Sequence, residues 1–182
     1  NVLSLGGHTV LDNGARISAG LNKVDTTMTG EASSGTIETM ILSGEVGKHI
    51  DSRDITITGN ANIANGDMNY SRSIGDFDAA GETSNKDMWG GLTVEKSTGQ
   101  VRPFAGITVG KKSTDAYDET GDVQATLSHA SVDETYRYGT LGFNLDTGIF
   151  TASISKDFGD SEAMRIGFGI ARSINDRISL GI

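Results

Sequence analysis

Asp115, Asp118, Glu119 and Asp122 crowd four carboxylates into one short polar stretch. Hard cations take oxygen ligands, so Ca²⁺ binding is the first chemistry this stretch suggests. It lacks the EF-hand spacing, however, and the reading that fits better is a solvated acidic external loop, whose charges keep it in water. Asp76, Asp78 and Glu82 repeat the theme in a preceding polar segment. The expectation is an acidic rim with no metal bound. His8, His49 and His129 are far apart and lack zinc-type spacing. There is no Gly-x-Ser-x-Gly elbow, phosphate loop or dinucleotide fingerprint, and with no cysteine there is no thiol nucleophile. The chain is therefore expected not to be an enzyme, to have no catalytic residues and to hold no cofactor.

A second set of charged residues stands out by placement. Arg16, Glu95, Arg102, Arg165 and Arg177 each sit on the polar side of a segment whose other side is apolar. Such residues would face a hydrated interior. The simplest role for them there is to neutralise one another, as is ordinary inside barrels.

The elements that must position these residues are strands. Period-two alternation recurs along the chain, separated by Gly, Asn, Asp and Ser clusters, and helical periodicity is nearly absent. In Met164 to Ile174, Met164, Ile166, Phe168 and Ile170 alternate with Arg165, Gly167, Gly169 and Ala171. After a turn at Asn175 and Asp176, Ile178, Leu180 and Ile182 alternate with Arg177, Ser179 and Gly181, which predicts a closing hairpin. Gly148 to Phe158, Val101 to Lys111, Met88 to Glu95, Asp54 to Tyr70 and Ala15 to Asn22 alternate in the same way. Thr36 to Ile50 leaves its faces undecided, because Met40, Ile41 and Leu42 adjoin. Val123 to Leu145 reads as one long strand or as a strand with a bulge, its alternation breaking near Asp133 and Glu134. About nine strands result, in one all-β domain over 1–182. Short turns near Asp51, Ser97 and Asp146 alternate with longer polar loops near Met28 to Gly35, Ile74 to Asp87 and Ser113 to Asp122. A membrane barrel has short turns at one end and long loops at the other.

Composition narrows the class. A net charge of −9 argues against nucleic acid, which needs clustered Lys and Arg. Glycine is 25 of 182 residues, with a single proline, so the glycine belongs to structure rather than to a disordered tract. The polar faces are mostly Gly, Ser, Thr and Asn, which suits a wet lumen better than the charged exterior of a soluble sandwich. Aromatics make up only 6%, which is thin for two interfacial girdles. Trp89, Phe104, Tyr136, Tyr138, Phe150, Phe158 and Phe168 are the candidates to supply part of them.

Three stretches then carry a resemblance: Val101-Arg102-Pro103-Phe104-Ala105-Gly106, the loop Tyr117-Asp118-Glu119-Thr120-Gly121, and the strand that follows it to Leu141-Gly142. With Trp89-Gly90-Gly91-Leu92 before them and the terminal hairpin after, they resemble the C-terminal translocator barrel of autotransporters, the type V secretion proteins. The resemblance implies an antiparallel up-and-down transmembrane β-barrel of twelve strands in the bacterial outer membrane. It also implies export and surface display of an N-terminal passenger, with outer-membrane lipid, the assembly machinery of that membrane and the passenger itself as partners. On that reading the strands read here are part of the barrel and both ends are incomplete. Two alternatives remain at this point: a soluble extracellular β-rich structural or adhesive module, and a free-standing outer-membrane pore.

Overall fold

The computed structural model describes residues 1–122, 126–148, 150–175 and 178–181. Nine long strands, each antiparallel to the next, make one curved sheet. They are β1 (Val2–Val10), β2 (Ala15–Thr29), β3 (Ser33–Ile50), β4 (Ile55–Ile74), β5 (Phe77–Lys96), β6 (Val101–Thr114), β10 (Val132–Asp146), β11 (Phe150–Gly159) and β12 (Met164–Asn175). A four-residue strand, β13 (Ile178–Gly181), pairs with β12. Between β6 and β10 lie three two-residue strands, β7 (Tyr117–Asp118), β8 (Thr120–Gly121) and β9 (Ser128–His129). The sheet forms a half-barrel, and no ladder joins β1 to β13 among the described residues.

Continuous registers decide which residues share a face. Val94, Ala105 and Leu141 stand in one row, and Glu95, Phe104 and Gly142 in the next. The first set belongs to an apolar face that remains open: Leu42, Leu92, Ile107, Leu141, Phe143, Ile166 and Phe168 are all exposed. The opposite face is polar and encloses Asp157 completely. A sheet that shields its carboxylates on the inside and leaves its apolar side chains outside has lipid rather than a protein core as its apolar partner. The undecided β3 is settled by pairing. Leu42 lies opposite Leu21, and Ile41 opposite Asn22, so the even-numbered residues face out.

Three expectations change. Val2–Val10 adds a first strand, whose Gly6 and Gly7 obscure its alternation. The polar stretches near 28–35 and 74–87 are mostly strand, closed by tight turns at 30–32 and 75–76. A strand of 20 residues such as β4 or β5 runs roughly 65 Å at ~3.3 Å per residue, whereas about 9–11 residues cross the hydrocarbon. Their outer halves therefore stand in water, where both faces can be polar while the backbone ladder continues. The long strand expected from Val123 begins only at Val132, and residues 123–125 lie outside the described residues.

Aromatic placement also differs from expectation. Phe150, Phe158 and Phe168 face outward and exposed. Trp89, Phe104, Tyr136 and Tyr138 instead lie on the inner face, two of them over glycines. The Tyr136 ring lies over Gly110 and the Phe104 ring over Gly142, each where a Cβ would stand. Glycine leaves the gap and the ring of a neighbouring strand fills it, which covers the bare backbone.

Candidate functional site

The inner face holds its charges in three groups. Nearest the short-turn end, Arg102 on β6 reaches Glu95 of β5 (3.5 Å) and Asp146 of β10 (3.1 Å). Asn144 donates to the second Glu95 oxygen at 2.6 Å. These contacts tie three strands together through side chains that alternation alone brings to one face.

Farther along the wall, Asp157 on β11 is sealed from solvent. It accepts from Arg165 of β12 at 2.6 and 2.7 Å, from Thr140 of β10 at 2.8 Å and from Ser161 at 2.9 Å. A buried carboxylate is tolerable only when paired and hydrogen-bonded, and here both oxygens are occupied. The Arg165 guanidinium also lies 5.8 Å from the centre of the Tyr138 ring.

The third group is at the long-loop end. The segment between β6 and β10 turns back onto the inner side of β4 and β5. β8 extends the sheet by pairing with Ala79 and Ala80 of β5, while β7 pairs with β9. Along β5, Ala79, Gly81 and Thr83 are buried while Ala80, Glu82 and Ser84 are exposed, so the segment covers the inner face only. Its anchor is Glu119. The side chain, 2% exposed, meets Arg72 at 2.7 and 3.2 Å and accepts from the Tyr70 hydroxyl at 2.5 Å and from the Leu127 amide at 2.9 Å. Tyr117 stacks on His129, with ring centres 4.4 Å apart. The Arg72 guanidinium, helped by the Tyr70 hydroxyl, holds the Glu119 carboxyl down at about 2.

The predicted residues thus divide. Glu95, Arg102 and Arg165 are brought into inner-face ion pairs. Arg16 lines a polar recess of about 400 Å³ with His8, Asn22, Glu45 and Asn62, and Arg177 lies outside the described residues. In the acidic stretch, Asp115 and Asp118 are exposed, Glu119 is enclosed, and Asp122 accepts from the Asp78 amide at 2.9 Å. Among the described residues no group of acidic and histidine side chains could hold a metal ion. Sequence reasoning missed Asp157, Arg72 and Tyr70. Asp157 could have been found, because it continues the polar series Ser153 and Ser155 along β11. Arg72 and Tyr70 stand where the apolar half of the alternation has already stopped.

Known proteins agree with this architecture. The autotransporter β-domain family matches residues 1–159. The chain belongs to that family. The solved translocator domain of the autotransporter NalP from Neisseria meningitidis has the same fold, with a TM-score of 0.80 at 17% identity, over 96% of this chain and 70% of that one. No curated protein matches the chain. As an autotransporter β-domain, it resides in the bacterial outer membrane and serves as the translocator through which an N-terminal passenger is exported. The family's β-domain is not itself an enzyme.

Proposed function

We propose that these strands form most of the wall of a closed barrel, whose inner charge pairs line the passenger's route. The observation that carries this is the Asp157–Arg165 pair with its two hydroxyl partners. A carboxylate enclosed on the inner face presents a neutral, hydrogen-bonded surface to a polypeptide passing it. Among the described residues the outer edges of β1 and β13 carry no partner strand, which supports closure by further strands, since a free sheet edge in hydrocarbon leaves backbone groups without partners. Such an edge also suits delivery by the outer-membrane assembly machinery, which can shield it until the barrel shuts. The loop anchored by Glu119 lies over the inner side at the external mouth and narrows it after export.

The test is surface display by the intact protein in cells. Wild type should expose its passenger to added protease, and depletion of the assembly machinery should abolish both the exposure and the heat-modifiable gel mobility of a folded barrel. Normal display under depletion would contradict the assembly claim. Display that survives without any closed, heat-modifiable species would contradict closure.

A further inference from the structure

The outer half of β4 carries a feature that passenger export does not use. Of the chain's asparagines, Asn69 alone is followed two residues on by Ser or Thr, within Asp67-Met68-Asn69-Tyr70-Ser71. Asn-x-Ser is an acceptor sequence for N-linked sugar, and the hydroxyl two residues after the Asn is the first requirement of that transfer. Bacterial transferases add a second requirement, a carboxylate two residues before the Asn, and Asp67 supplies it.

Strand geometry brings the three determinants to one side. Successive side chains of a strand alternate, so Asp67, Asn69 and Ser71 continue the outward row of Ile57 and Ile63, with neighbours about 7 Å apart. Met68 and Tyr70 between them point inward, where Tyr70 holds Glu119. All three outward residues are exposed, and so are Thr36 of β3 and Glu82 of β5, which flank Asn69 in the ladder. Asp67 accepts from Ser84 at 2.8 Å and Ser71 meets Ser34 at 2.9 Å. The Asn69 amide, by contrast, makes no side-chain hydrogen bond among the described residues. Asn69 stands beyond Ile63, the last outward apolar residue of β4, by roughly 20 Å along the strand at ~3.3 Å per residue. A hydrophilic group attached there lies in water, clear of the hydrocarbon and on the side of the wall away from the pore.

We propose that Asn69 is a glycosylation site, which takes an oligosaccharide from a polyprenyl-diphosphate carrier. The side-chain nitrogen attacks C1 of the first sugar and the C1–oxygen bond to the diphosphate breaks. The polyprenyl diphosphate leaves, and the amide loses one proton. In the folded sheet Asn69 is paired on both sides, with Thr36 and with Glu82, so its backbone cannot enter a transferase groove. Transfer therefore belongs to the unfolded chain, before the ladder forms. The sugar then covers the outward side of β3 to β5 above the membrane and leaves the mouth open.

The test takes the intact protein from the outer membrane of its native source. Trypsin cuts after Arg53 and Arg72, so a single peptide, 54–72, carries Asn69. Electron-transfer fragmentation then distinguishes Asn69 from Asn60, Asn62 and Asn65. The peptide should be heavier by one oligosaccharide, located on Asn69. Asn69→Gln, Asp67→Asn and Ser71→Ala should each abolish the added mass, and Asn65→Gln should leave it. Heat-modifiable mobility should show all four variants folded, because every change lies on the exposed outward face. In pulse-labelled cells the sugar should appear before the heat-modifiable form does. A peptide of unaltered mass would overturn the proposal. So would a sugar on Ser71 or Thr58 in place of Asn69, a sugar retained in Asp67→Asn, or one added only after the barrel has formed.

Discussion

The two halves of β5 obey different rules although one ladder runs through both. From Met88 to Lys96 the outward residues Met88, Leu92 and Val94 are exposed and apolar, and lipid selects them. From Phe77 to Asn85 the outward residues are polar, and what distinguishes the faces is the burial of Ala79, Gly81 and Thr83 beneath the β6–β10 loop. The lower half is specified by lipid and the upper half by a tertiary contact. A strand can thus change its organising partner midway without changing its hydrogen bonds.

The largest expected break separates these halves directly. Leu92→Arg places a charge in the middle of the outward apolar run and should cost about 2–4 kcal/mol, seen as loss of heat-modifiable barrel in membranes. Ser84→Arg, on the same face of the same strand but beyond the apolar run, should leave folding unchanged. Equal effects would erase the distinction. Next, Asp157→Ala leaves Arg165 without its partner and two hydroxyls without an acceptor. A loss of about 2 kcal/mol is expected in urea unfolding from lipid vesicles, and the Asp157→Ala, Arg165→Met double variant should recover part of it.

Smaller effects set a crowded glycine of the inner face against an open one of the outer face. At Gly142 an added Cβ would lie 2.5 Å from the Phe104 ring and 2.6 Å from the Ile154 carbonyl oxygen, so Gly142→Ala should cost about 1–3 kcal/mol. At Gly44 the nearest atom is 3.9 Å away, and Gly44→Ala should stay within about 0.5 kcal/mol. The same unfolding measurement checks both. Smallest for the wall as a whole is Glu119→Gln, which should leave the barrel's unfolding unaltered while exposing residues 115–129 to protease. The sign of the pH effect follows from the carboxyl. Its value falls from an ordinary 4.5 to about 2 on docking, so docking is fully supported above 4.5 and weakens as pH drops toward 2. Proteolysis of the loop by an acid-active protease should rise across that window in wild type and show no such rise in Glu119→Gln.

What the sequence made legible follows the same division. The membrane-crossing parts were readable because lipid imposes alternation on one face, and the β5, β6 and β12 segments were found nearly at their full crossing length. Glu95, Arg102 and Arg165 were placed on the inner face by parity alone. Their partners Asp146 and Asp157 were not, since a pair made across strands depends on register, which alternation leaves open by steps of two residues. Above the membrane both faces of β5 are polar, so its outer half read as a loop. Glu119 read as a solvated loop acid because its partner Arg72 is distant in sequence and lies just past the segment Asp54 to Tyr70 that read as strand. The inward aromatics were misassigned because a ring that covers a glycine and a ring that meets the membrane interface occupy similar sequence surroundings.

The central claim is that the apolar face meets lipid only along the lower half of each long strand. Because the chain has no cysteine, single cysteines at successive positions from Ile55 to Arg72 on β4 can be spin-labelled in the reconstituted protein. Collision with oxygen, which concentrates in lipid, is then compared with collision against a water-soluble nickel chelate. The account predicts oxygen access at Ile55, Ile57, Gly59, Ala61 and Ile63 alternating with chelate access at Thr56 to Asn62, and chelate access at the outward positions from Asn65 onward. Chelate access at Ile57, Gly59 and Ala61, or oxygen access continuing through Asp67 and Asn69, would contradict it.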